Sequence, residues 1–252
     1  MDQQMQGAWY AKRGSKAGEL YTLMHLPYTS MVLAYVLIGA AVSPVLYLDR
    51  LLLTLAAYFL GLGLSAHALN ELHARHWGDA LTPRELKAIF LAPLIGALTI
   101  GGYGAYVLYH SSRAGLTESI ALLFFIALET FFLFAYNTGF SNGRFHNDIS
   151  FAISWAALPF MVSYFVNTAS ITLSAILMAT GLAATAGIEI NLSRWCKDFR
   201  RKNNLSELQF EDGTRAELST YNLIQRPEKA LKLIVVAVDL MGVGLVLWRL
   251  IG

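Results

Sequence analysis

The residues best suited to chemistry lie at Leu64-Ser-Ala-His-Ala-Leu-Asn-Glu-Leu-His-Ala-Arg-His-Trp-Gly-Asp79, where a long apolar run gives way to polar and ionisable groups. On a helix advancing about 100° per residue, His67, Asn70 and Glu71 share one face, whereas His73 points elsewhere. Ionisable side chains inside a spanning segment are costly in hydrocarbon and face the bundle interior or a wet cavity, so this polar wall is a candidate site. A second cluster, Tyr136-Asn-Thr-Gly-Phe-Ser-Asn-Gly-Arg-Phe-His-Asn-Asp148, has Gly139 and Gly143 for a tight loop and offers Tyr136, Asn137, Arg144, His146 and Asp148. A third offers Glu189 and Asn191, then Arg194, Lys197 and Asp198. Together they would supply cations for a phosphate and carboxylates for a divalent metal. Glu129 and Asp239 stand apart, each near the middle of an apolar stretch.

The elements that must position these groups are membrane helices. The chain has 252 residues, 56% apolar and only 14% charged, and its apolar stretches are continuous rather than alternating, which selects spanning helices over barrel strands. The expectation is an all-α, polytopic membrane protein with spans at roughly 29–48, 51–73, 86–109, 118–140, 148–167, 170–190 and 230–251. Residues 1–27 read as a partly helical lead-in with Trp9, Tyr10, Tyr21 and Tyr28 suited to the headgroup level. Leu48-Asp49-Arg50 reads as a very short connection, and Thr82-Pro83-Arg84-Glu85 as a helix start with Thr82 as cap. Gly96, Gly101, Gly102 and Gly104 offer close helix packing. His146 and Asp148 are placed to cap the fifth span.

Basic residues collect in the connections on the N-terminal side, from Lys12, Arg13 and Lys16 through Arg75, Arg84, Arg144, Arg194 and the run Lys197 to Lys202. The positive-inside rule then puts the N-terminus in the cytosol and all three polar clusters on the cytosolic face, where they can converge. The hydrophilic segment 191–229 reads as a cytosolic loop, locally helical near 206–225, ahead of a last span over 230–252. The single cysteine, Cys196, excludes an internal disulfide and a Cys-based metal cluster. There is no phosphate loop, zinc-finger spacing or heptad, and the basic groups adjoin spans, so the bilayer and a lipid are the expected partners and nucleic acid is not.

Polar motifs at the cytosolic ends of the second, fourth and sixth spans resemble the layout of the UbiA-type intramembrane prenyltransferases. Asn70-Glu71-Leu-His-Ala74 is similar to the first Asp-rich motif of that superfamily, Tyr136 with Arg144 to the second, and Glu189 through Asp198 occupies the place of the third. The resemblance implies transfer of an isoprenoid from a prenyl diphosphate. In it, Asn70 and Glu71 with Glu189 or Asp198 would hold magnesium, Tyr136, Asn137, Arg144 and Asp148 would bind the substrate, and His67 or His146 would act as acid or base. The chain departs from the pattern at Ala74, where a second carboxylate belongs, in lacking Asp-x-x-x-Asp near 189–198, and in having one span after the last loop. Two other readings stand beside this one. His67, His73, His76 and His146 suit a transition metal such as zinc, iron or copper. Glu129 and Asp239 suit proton-coupled transport, and a non-catalytic subunit that binds lipid or pigment needs neither.

Overall fold

Seven helices long and apolar enough to cross a bilayer make up the computed structural model, which describes residues 8–12, 14–74, 78–112, 114–201, 207–209, 211–213, 215–217 and 221–252. The spans run Lys16–Ala41, Leu48–His73, Pro83–Tyr109, Leu116–Asn137, Asp148–Thr168, Leu173–Phe199 and Leu223–Ile251. The first, second and fifth form the centre. The third and fourth pack on the second, and the sixth and seventh pack on the first and fifth. Burial follows this order: 78% of the fifth span's apolar window is enclosed, against 11% of the third's. The outer helices turn Leu91, Ile95, Leu123, Phe124, Leu177 and Leu240 outward, as helices facing hydrocarbon do.

Without water to expel, helices in lipid associate through surface fit and interhelical hydrogen bonds. At the centre, a Cβ on Gly39 would lie 2.4 Å from the Phe160 carbonyl oxygen, so only glycine lets the first and fifth spans meet there. Beside that contact the Ser163 hydroxyl donates to the Val36 carbonyl at 2.6 Å. Ser65 ties the second span to the Phe90 carbonyl at 2.7 Å, and Ser119 ties the fourth to the Ala105 carbonyl at 2.9 Å. Among the expected packing glycines, Gly101 meets Ile126, Gly96 meets Leu60 and Gly104 meets Leu122, but Gly102 faces open space.

The third span starts as its sequence predicts. Thr82 accepts from the Glu85 amide, and the Glu85 carboxylate accepts from the Thr82 amide at 2.8 Å. The turn before it is clamped by buried Glu19, whose two oxygens accept from the Ala80 and Leu81 amides at 3.0 and 2.8 Å. Gly78 passes over that carboxylate at φ +148, where a Cβ would lie 2.1 Å from Glu19 Oε1.

Four expectations need correction. Leu48-Asp49-Arg50 is the first turn of the second span's helix, so the hairpin connection is 42–47, held by the Tyr47 amide on Asn167 Oδ1 at 2.8 Å and by Arg50 on the Val166 carbonyl. The fifth span is capped by Asn147, which accepts from the Ser150 amide; Asp148 is the first residue inside that helix. The sixth helix continues to Arg201, well past 190. Within 206–225, Glu207–Gln209 (β1) and Arg215–Glu217 (β2) pair as an antiparallel ribbon, with Gly213 at φ +79 between them, and helix is found at Tyr221–Gln225. A glycine at positive φ makes the tight turn that joins the two strands.

Replacing Gly39 with Leu should overpack the centre and cost about 1–3 kcal/mol, seen as a lower unfolding temperature in detergent. Gly102→Leu should stay close to wild type, and equal losses in both would refute the assigned contact.

Candidate functional site

Three helix irregularities converge at the N-terminal end of the bundle, and each has a sequence cause. In the first span the helix breaks at Met24-His25, with His25 left-handed at φ 45. Pro27 sits four residues after Leu23, the last residue of the preceding helical turn, and its ring would collide with the Leu23 carbonyl in a continuous helix. In the fifth span a π-helical turn occupies Ile153–Ala157, just before Pro159, which has no amide to offer the Trp155 carbonyl. The second span is π-helical over Phe59–Ala66, around Gly61 and Gly63, and Gly63 presses against Thr29 of the first span. Such π segments occur often at functional sites.

Their combined effect is to stack side chains. The His25 and His67 rings lie 4.3 Å apart and within 10° of parallel, and the Trp155 ring lies 5.1 Å from His67. Tyr10 Oη is 2.8 Å from His25 Nδ1 on the outer side, and Trp9 packs edge-on against Tyr10. From Trp155 the rings continue through Phe151 to Tyr136 and then His146, with centroid separations of 5.2, 6.0 and 4.4 Å. An aromatic row therefore links the first, second, fifth and fourth spans. Its far end is anchored by Arg194, which pairs with Asp148 at 2.5 Å and reaches Tyr136 Oη at 3.5 Å.

The row brings together His67, Tyr136, His146 and, through Arg194, Asp148. Within the polar wall, His67 and Glu71 are buried, Asn70 is half-buried and His73 is exposed, as the helical spacing requires. His67 Nε2 is buried with no hydrogen-bond partner. Asn137 is turned back on its own helix, donating to the Leu133 carbonyl at 2.8 Å. Arg144 is exposed, on a turn where Ser141 and Asn142 are left-handed.

Of the expected magnesium ligands, Glu71 and Glu189 are buried and Asn70 is half-buried. Asp198 is exposed and lies nine residues beyond Glu189, about 13 Å along the helix. Among the described residues, no three His, Cys, Asp or Glu side chains form a metal-binding group. Arg75 and His76 lie outside the described residues. Residues that the sequence reading did not single out are His25, Trp155, Tyr58 and Tyr35. Pro27 and Pro159 were the available signals for the first two.

Glu129 belongs to a separate cavity between the second, third, fourth and fifth spans. Its walls are almost wholly apolar, with Leu94, Ala97 and Ile126 among them, and Asp49 and Arg50 stand at the end away from the N-terminus. Tyr58 donates to Glu129 Oε1 at 2.8 Å, while Oε2 is buried with no partner. Tyr58 immediately precedes the π segment that ends at His67, so one stretch of helix connects the cavity to the aromatic row.

The fold and these sites define a multi-pass helical membrane protein. Comparison with protein-family models, curated proteins and solved structures gives no match.

Removing the central ring should be costly. His67→Ala leaves a gap between His25 and Trp155 and should destabilise by about 2–4 kcal/mol, whereas His67→Phe, which keeps a ring, should cost under about 1.5 kcal/mol. Chemical or thermal unfolding in detergent separates the two; equal stability of the alanine variant and wild type would show that the stack contributes nothing.

Proposed function

We propose that the protein binds an amphipathic lipid of isoprenoid type in the cavity beside Glu129, within the cytoplasmic membrane and with its N-terminus in the cytosol. The observation that carries this reading is the combination of a long apolar cavity between membrane helices with one buried, unpartnered oxygen, Glu129 Oε2. Sites for small hydrophobic molecules are mostly apolar with a few polar groups that fix orientation. A flexible hydrocarbon chain suits the walls formed by Leu94, Ala97 and Ile126. A neutral hydroxyl or carbonyl head suits the Glu129–Tyr58 pair, because an unmet polar atom in hydrocarbon is costly and a ligand hydrogen bond relieves it. A diphosphate head would instead meet a carboxyl there. The basic connections on the N-terminal side support the orientation through the positive-inside rule.

A transferase reading keeps the lipid but moves its head to the aromatic row, and it is favoured by Arg194 beside Tyr136 and His146. An anionic head would have to compete with Asp148 for that guanidinium.

Native mass spectrometry of the protein in mild detergent tests the cavity. Wild type should retain a co-purifying lipid; Ala97→Trp should fill the cavity and abolish retention, and Glu129→Leu should weaken it roughly tenfold, the worth of one buried hydrogen bond. Unchanged lipid occupancy in both folded variants would rule out the cavity as the binding site. Release of diphosphate from an added prenyl diphosphate, lost in Arg194→Gln, would favour transfer instead.

A further inference from the structure

A third polar group lies on the other side of the bundle and is used by neither reading above. Tyr35 of the first span, Glu189 of the sixth and Asp239 of the seventh are each near mid-helix. Tyr35 and Glu189 are 1% and 2% exposed. The Tyr35 hydroxyl, Glu189 Oε1 and Asp239 Oδ1 are all buried without a hydrogen-bond partner. The Tyr28 hydroxyl of the first span donates to Ser193 Oγ of the sixth at 2.6 Å, one helical turn from Glu189, so the first and sixth spans meet beside this group.

Close packing brings these groups together. Gly242, on the same helix face as Asp239, lies against Ala34, where a Cβ would be 2.9 Å from the Ala34 carbonyl oxygen. Among the described residues, no positive side chain is seen paired with either carboxyl. The helix Leu26–Ala41 contains no ionisable group apart from its tyrosines. Asp148 of the fifth span is occupied by Arg194. On the seventh span Lys232 pairs with Glu228 at 3.0 Å, and Arg249 bonds to the Ser43 and Pro44 carbonyls at the opposite end.

Two carboxyls facing each other in a low-dielectric interior do not both ionise unless a cation sits between them. The donors are all oxygens, with no imidazole or thiolate among them, which favours a hard cation. A phenol that is buried and unpartnered supplies a further oxygen for that ion. We propose that Tyr35, Glu189 and Asp239 form a binding site for one small monovalent cation, a proton or a sodium ion, at the junction of the first, sixth and seventh spans. The site is independent of the lipid cavity, which lies across the second span.

The test is the melting temperature of the full-length protein in detergent, in sodium chloride against choline chloride of equal ionic strength, at about pH 6 and about pH 9. A sodium site raises the wild-type value in sodium by roughly 5 °C at the higher pH, and Glu189→Gln and Asp239→Asn lose that rise. A proton site shows no sodium response but loses a similar amount as pH rises, because the folded protein holds a proton that the unfolded chain releases; each variant loses less than wild type, the remainder belonging to the separate buried carboxyl Glu129. A wild type that responds to neither condition overturns the proposal without any variant, and so does a response that the variants keep in full. If one variant does not fold, the other is compared together with Tyr35→Phe.

Discussion

The close approach of the first and fifth spans is the constraint on which the rest of the bundle depends. At Gly39 the Phe160 carbonyl comes so near that no side chain fits, and the Ser163 hydroxyl closes the same contact on the Val36 carbonyl. In lipid there is no hydrophobic drive between helices, so a contact of this kind must come from fit and hydrogen bonding. With that pair seated, the second span lies against both, and the outer helices complete two flanks that face hydrocarbon.

Prolines and glycines then shape the centre for something other than maximal regularity. Pro27 and Pro159 interrupt the two helices that pack most tightly, and the second span takes a π-helical course between them. His25, His67 and Trp155 meet in one row where these interruptions fall, and breaks in the helical hydrogen-bond ladder are costly in a membrane interior that has no water to replace them. That cost is expected where function, rather than stability, selects the geometry.

Polar groups are divided among three places: the aromatic row at the N-terminal end, the Glu129–Tyr58 pair in the cavity, and the Tyr35–Glu189–Asp239 group on the opposite flank. The first is largely internally satisfied, through Tyr10 on His25 and Asp148 on Arg194. The other two leave oxygens unmet, and the physical cost of such atoms in hydrocarbon is what directs attention to ligands there. The second span touches two of the three, since Tyr58 lines the cavity and His67 belongs to the row.

The sequence by itself determined the class, the seven spans and the buried face of the second helix. These depend on local quantities: the length of apolar runs, the 3.6-residue period that buries His67 and Glu71 while exposing His73, and the Thr82–Glu85 cap. It also showed that the three polar clusters share one end, because topology alone settles that. Tertiary structure decided which residues meet. Glu129 found Tyr58, 71 residues away in the chain, and His67 stacked on His25 of another span. The physical reason is that helix rotation and neighbour choice in a bilayer follow from close contacts such as Gly39 on Phe160 and Gly242 on Ala34, and a glycine in a sequence does not say which helix it will meet.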